Sequence, residues 1–428
     1  MVLLFVSIAM FGNYYVYDAL SPLADVLKQQ LGFTDANIGL LQAIYSFPNI
    51  FTVVIGGIII DRIGLRRSLM IFGVLCLIGP AITAATGTLW IMATGRLIFG
   101  MGAESLIVAV TAALARWFRG KELSFAFGVN LTIARLGSFA ALNSPTWARW
   151  AYAYWRWPFL IALAFSSLCV FGSAVYWGME VHAEKVYHLG EASTDKIVFS
   201  DLFKFSLSYW YIVALCVTFY SAIFPFQTFA VEFFIGAHGT SREVGGFLSS
   251  LLTLFAMFAT PLFGLMVDRI GHRAILMMLG SMLLIPVYLI MAYVPSVRHV
   301  VLNIPFFGTW DVPLLLLGVM GTMGVAFSLI PAVMWPSVAY IVDPAKLGTG
   351  YGVMTMIQNI GLFGFNLLIG WANTYSNASP TNPAGYRLGM WIFSILGFLG
   401  VFFAFLLHQR ETGPHGHGLE TITTKTSA

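Results

Sequence analysis

Runs of about twenty apolar residues, separated by short polar stretches, recur along the whole chain. An α-helix needs about 20 such residues to cross a bilayer. The runs fall near 2–20, 38–60, 68–87, 89–115, 123–147 and 157–178, and again near 209–235, 243–266, 274–294, 311–341, 349–373 and 387–408. Between the two sets lies a charged, His-containing stretch. The pattern predicts an all-α membrane protein of about twelve spans in four parts. These are an N-terminal six-helix bundle (1–178), a cytoplasmic linker (179–208), a C-terminal six-helix bundle (209–408) and a cytoplasmic tail (409–428). The tail is polar and is expected to be loose.

Composition supports lipid as the main solvent. Of 428 residues 59% are hydrophobic and 9% charged, against about 25% charged in a soluble domain. The net charge of +4 therefore gives no reason to expect a nucleic-acid partner. Its distribution is more informative. If the N-terminus is cytoplasmic, 14 Lys and Arg fall in inside segments and 6 in outside ones, with Arg96 and Arg135 within spans. That bias places both termini in the cytoplasm. The first apolar run lacks a basic leader, so it reads as a span and not as a cleaved signal. Cys76, Cys169 and Cys216 are scattered in apolar runs, which argues against a disulfide framework or a metal site.

A repeat gives the strongest signal. The pattern G-x-x-x-D-R-I-G-x-R occurs at 57–66, after the second span, and at 264–273, after the eighth. Two similar halves with a site between them are a transporter architecture. In each copy a carboxylate, Asp61 or Asp268, sits at a helix C-terminus, where the helix dipole disfavours it. Each should take a neighbouring cation or helix N-terminus, a contact that can latch one conformation. Asp61, Arg62, Arg66, Asp268, Arg269 and Arg273 are thus expected to act in gating, with a plain basic topology anchor as the alternative.

This doubled motif resembles the major facilitator superfamily, as does Arg96-Leu-Ile-Phe-Gly100-Met-Gly102 in the fourth span. Longer strings resemble a dipeptide-transporter branch of that superfamily found in animal lysosomes. They include Tyr17-Asp18, Tyr45-Ser-Phe-Pro48-Asn49, Gly100-Met-Gly-Ala-Glu104-Ser-Leu, Trp117-Phe-Arg-Gly-Lys121-Glu122-Leu and Ala134-Arg135-Leu-Gly-Ser138. In the second half they include Phe224-Pro225-Phe226, Trp335-Pro336, Leu347-Gly-Thr-Gly-Tyr351-Gly and Gln358-Asn359-Ile-Gly361. The resemblance covers nearly the whole chain. It implies the major facilitator fold and transport of dipeptides. No acidic dileucine sorting signal is visible, so a multi-pass protein of the cell (inner) membrane is expected, without a lysosomal address.

Ionisable residues within spans are costly and mark function by default. The candidates are Asp18, Arg96, Glu104, Arg135 and Glu232. Glu104 and Arg135 each lie about 20 Å from both ends of their helices at 1.5 Å per residue, so the two charges share a depth. A carboxylate and a guanidinium suit the two ends of a zwitterion. A structural pair closing on itself is the alternative. Arg96 is nearer the outer end and fits a structural or gating role better than substrate binding. Glu232 is expected to be solvated.

Polar and aromatic residues also recur at helical spacing. Tyr14, Tyr17 and Asp18 share one face, as do Gln42, Tyr45 and Asn49; Tyr220, Phe224 and Gln227; and Thr355, Gln358 and Asn359. They suit a substrate path or interhelical hydrogen bonding. Trp335 beside Pro336 reads as a gate or a kink. No phosphate loop, nucleophile elbow or zincin motif is present. The expected protein is a secondary transporter of dipeptides or similar small zwitterions, working by alternating access. It is not an enzyme, needs no cofactor or metal, and works as a monomer in a lipid bilayer. The alternative is a proton-coupled organic anion or drug transporter, and after it a non-transporting membrane sensor.

Overall fold

The computed structural model describes residues 1–118, 123–186, 205–304, 308–343, 346–414 and 416–423; side chains at 53, 54, 61, 123, 124, 185, 186 and 304 are outside the description. The chain divides into two units, Met1–Lys196 and Ile197–Ala428. The long helices of the first are α1 (Val2–Asp18), α2 (Asp35–Ile63), α3 (Leu65–Ala85), α4 (Leu89–Phe118), α5 (Leu123–Leu142) and α6 (Arg156–Val186). Those of the second are α7 (Leu207–His238), α8 (Arg242–Ile270), α9 (Arg273–Tyr293), α10 (Leu314–Ile341), α11 (Leu347–Tyr375) and α12 (Arg387–Glu411).

Eleven helices are long and apolar enough to cross a membrane, counted among the described residues. The other long helix, α2, has 29 residues. Its start is fixed by a capping box, in which Asn37 N–H donates to Thr34 Oγ1 and Thr34 N–H to Asn37 Oδ1; this satisfies donors that a helix start leaves open. Ser206 and Ser241 cap the starts of α7 and α8 with their side chains. The outward faces are apolar. On α8, Phe258, Leu262 and Leu265 share a helical face and are each more than 60% exposed, as expected where lipid and not water surrounds the protein.

The six helices of each unit pack in one scheme. In the first unit α1 packs on α5 and α6, α4 on α2 and α3, and α3 on α6. In the second α7 packs on α11 and α12, α10 on α8 and α9, and α9 on α12. Glycine permits the closest approaches in the first unit. A Cβ on Gly102 would lie 2.8 Å from Phe72 O and from Leu75 Cβ of α3. That glycine therefore lets α4 lie against α3, as small residues do between membrane helices.

Several boundaries differ from the hydropathy reading. α5 stops at Leu142 and not near 147. Asn143 turns its Nδ2 back onto Phe139 O, and Pro145 has no N–H to continue the ladder. α6 continues past 178 to Val186, because Glu180 and Glu184 in its last turns pair with Arg116 of α4; Glu184 also takes Arg66 of α3 at 2.7 Å. Residues 187–204 of the expected linker are outside the described residues. An antiparallel hairpin, β1 (His299–Ile304) with β2 (Gly308–Pro313), leads into α10. Hydropathy had assigned its last residues to the helix. The tail is not loose over 416–423: Leu419 is fully buried and Glu420 is buried.

Candidate substrate site

In the first unit, α1, α2, α4 and α5 bring the expected polar residues together. Tyr45 of α2 donates its hydroxyl to Glu104 Oε1 of α4 at 3.3 Å. Its ring meets Tyr17 of α1 edge-on at 4.8 Å and Phe99 of α4 at 5.3 Å. Arg135 of α5 places its guanidinium carbon 5.5 Å from the centre of the Tyr14 ring, a cation–π geometry. Tyr14 also lies within electrostatic reach of Glu104 and Asp18. Asp18 is buried beside Ser138, with Arg135 and Arg96 the nearby cations. Glu104, Arg135, Tyr14 and Tyr17 are half-buried, so the cluster is not sealed within its unit.

Arg96 has a different setting. It is 3% exposed. Its Nε donates to Leu41 O and its Nη1 to Val16 O, both at 3.2 Å, and its Nη2 to Gln42 Oε1. The guanidinium also faces the rings of Tyr45 and Phe99. Three of its five N–H donors go to the backbones of α1 and α2 and to Gln42, so it fixes these helices around the site. Asn49 is fully buried. It accepts from Thr52 Oγ1 at 3.4 Å, and its own Nδ2 has no hydrogen-bond partner among the described residues.

The second unit, taken by itself, holds an aromatic group. Trp335 Nε1 of α10 donates to Tyr220 OH of α7 at 2.9 Å. Tyr220 stacks on Phe224, and Tyr351 of α11 donates to Trp335 O. α10 passes through Pro331 and Pro336 as one helix. Gln358 accepts a bond from Cys216 Sγ at 3.5 Å. Asn359 is buried and bonded to Thr355 O of its own helix. Gln227 is buried on α7. Glu232, expected to be solvated, is instead 6% exposed, because α7 is covered along nearly its whole length.

Of the motif residues, Arg62 and Arg269 are exposed, and the Asp61 side chain lies outside the described residues. Asp268 accepts from Arg273 Nη2 at 3.1 Å. Lys121 and Glu122 are also outside the described residues. Reading by charge alone undervalued Tyr14, which carries the Arg135 guanidinium over its ring and lies within electrostatic reach of Glu104. It also passed over Asn13, which donates to Ala103 O and ties α1 to α4 one residue before Glu104, and Asn130 of α5, bonded to Ser7 of α1. The available signal was polarity within otherwise apolar spans.

The Major Facilitator Superfamily model matches residues 6–363 and again 226–425. This chain belongs to the major facilitator superfamily. Its curated relatives agree with that assignment. The chain is 32% identical over 381 residues to the "Lysosomal dipeptide transporter MFSD1" of Danio rerio, covering 85% of this chain and 78% of the relative. It is 30% identical over 392 residues to the Homo sapiens protein of that name, covering 86% and 79%. Among solved structures, the nucleoside transporter NupG superposes with a TM-score of 0.70 at 16% identity, over 96% of this chain and 99% of that one. A bacterial homolog of the human lysosomal transporter Spinster gives 0.73 at 14%, over 95% and 96%. These two establish the superfamily's fold here and nothing about substrate. The protein is thus a multi-pass membrane transporter of this superfamily. The expected address in the cell (inner) membrane is overturned, since these relatives carry lysosomal names. Sorting signals are short and transferable, so a missing familiar one was a poor guide to location.

Proposed function

We propose that the protein transports dipeptides or similar small zwitterions by alternating access, with Glu104 accepting the α-ammonium and Arg135 binding the α-carboxylate. The observation behind this reading is that the Arg135 guanidinium lies over the Tyr14 ring while Glu104, bonded to Tyr45, is within electrostatic reach of the same tyrosine, both charges being half-buried. A guanidinium fork and a carboxylate provide charge-assisted bonds for the two ends of a peptide. Tyr45 orients the carboxylate, and Arg96 holds the helices that carry Tyr17, Asp18 and Tyr45. Tyr220, Gln227, Trp335, Gln358 and Asn359 are the second unit's candidates for side-chain contact, and Asn49 the further one of the first. Relatives named as lysosomal dipeptide transporters support both the substrate class and a lysosomal membrane as the place of action.

The deciding experiment compares binding of free, N-acetylated and C-amidated dipeptides to the wild type, Arg135→Ala and Glu104→Gln. Losing one charge-assisted contact costs about 1.5–3 kcal/mol, on the order of tenfold to hundredfold in affinity. Arg135→Ala should weaken free dipeptides far more than amidated ones, and Glu104→Gln should weaken them more than acetylated ones. Strict additivity of mutation and end-blocking would remove both residues from the site. An organic anion lacking an ammonium that binds as tightly as a dipeptide would favour the organic-anion reading.

A further inference from the structure

The α9 helix begins without a side-chain cap of its own. Its N-cap residue, His272, lies in the left-handed region at φ 51° and makes no side-chain capping bond. Gly271 before it has φ 69°. The first N–H groups of a helix need acceptors from elsewhere, and here they come from the C-terminal segment. Ala274 N–H donates to Glu420 Oε1 at 2.9 Å. His272 N–H donates to the Glu420 carbonyl at 3.1 Å. A carboxylate at this position also meets the positive end of the helix dipole.

The segment is anchored at a second point. Glu411, which ends α12, accepts Ser208 Oγ from the start of α7 at 2.6 Å. It also accepts His417 N–H at 2.7 Å, and His417 Nδ1 lies 2.9 Å from its other oxygen. Leu419 between the two anchors is fully buried. The imidazoles of His272 and His408 lie 3.5 and 3.4 Å from the Glu420 carboxylate. Residues 416–423 thus touch the α8–α9 turn and the end of α12, where Glu411 also holds the start of α7. Leu419 and the half-buried Ile422 are the apolar residues of the segment, its hydrogen bonds and ion contacts are polar, and Gly416 and Gly418 punctuate it. Few buried apolar contacts place a segment at the low end of local stability.

We propose that residues 416–423 form a detachable clasp: a tethered acidic ligand that caps α9 and restrains the α8–α9 turn, and that frees this turn when it lifts away. The turn carries the second copy of the repeated motif, so the clasp acts on one of the two motif loops. In the other loop Gly64 is the N-cap of α3, and Ser68 Oγ bonds to its carbonyl from within the helix.

The test is hydrogen–deuterium exchange on the full transporter, on a form ending at Gly413, and on Leu419→Asp and Glu420→Gln. Truncation and Leu419→Asp should speed amide exchange over 272–276 by about tenfold or more, and Glu420→Gln by a few-fold, with α10 and α11 at wild-type rates. A synthetic peptide of residues 416–423, added to the truncated protein at about 1 mM, a level that registers weak binding, should restore protection. Its Glu420→Gln and Leu419→Asp versions should not. Unchanged exchange over 272–276 after truncation would show that nothing is clasped. A rise spread through the whole second unit would make the segment part of the core, and a peptide without effect would show that it does not dock as a separable ligand. None of these readouts depends on the substrate, so the dipeptide assignment can fail without affecting the clasp, and the reverse.

Discussion

Tyr45 on α2 donates its hydroxyl hydrogen to Glu104 on α4 at 3.3 Å, while its ring packs against Tyr17 of α1 and faces the Arg96 guanidinium at 5.5 Å. The carboxylate proposed to receive the substrate's ammonium is therefore aimed by a side chain from another helix, itself packed against a third. Tyr45→Phe keeps the ring and removes the donor. A single hydrogen bond contributes about 1 kcal/mol net, so affinity for free dipeptides should change by roughly fivefold. N-acetylated dipeptides should respond less. Equal responses in a binding titration would mean that Tyr45 does not act through Glu104.

Arg96 is predicted to govern stability and not selectivity. Its donors meet Val16 O, Leu41 O and Gln42 Oε1, and hydrogen bonds to a charged group contribute about 1.5–3 kcal/mol each. Arg96→Ala should lower the melting temperature of detergent-solubilised protein by several degrees. Among the molecules that remain folded, the ranking of free over end-blocked dipeptides should persist. Loss of that ranking at unchanged Tm would move Arg96 into the binding site.

In the second unit the Trp335–Tyr220 bond is open to a double-mutant cycle. Trp335→Phe and Tyr220→Phe each remove the same 2.9 Å contact, so the double mutant should cost less than the two singles combined. The coupling should be about 1 kcal/mol, read from Tm with and without a dipeptide. A coupling of zero in both conditions would show that the bond contributes nothing to folding or binding.

Asp268 and Arg273 form an ion pair with unequal partners. Arg273 is 1% exposed and its guanidinium lies 4.8 Å from the centre of the Tyr340 ring, whereas the Asp268 side chain is half exposed. Arg273→Ala removes packing and a cation–π contact as well as the charge, while an exposed partner contributes about 0–1 kcal/mol. Thermal unfolding should therefore show a large loss for Arg273→Ala and a small one for Asp268→Asn. If Asp268→Asn instead leaves Tm unchanged and alters the transport rate, the carboxylate is a latch; equal Tm losses would contradict the asymmetry.

The sequence alone determined that the chain is a helical membrane protein with two related sets of spans. That information is local: a run of about 20 apolar residues specifies its own solvent and its own helix, because backbone groups in lipid must bond within the segment. It also isolated Glu104, Arg135, Asp18 and Arg96, since a charge within a span is conspicuous wherever the helix turns. Partnership was not local. Tyr45 and Glu104 are 59 residues apart and Arg96 and Val16 are 80 apart. Which polar atom meets which depends on the rotation of each helix about its axis and on how closely glycines such as Gly102 let neighbours approach. Only tertiary packing therefore showed that Arg96 is engaged by helix backbones, that Arg135 lies over the Tyr14 ring, and that Glu232 is covered. The same holds for the tail. Its polarity reads as solvation, yet Glu420 finds uncapped N–H groups at the start of α9, a helix end whose lack of a cap becomes meaningful only once the fold brings the two together.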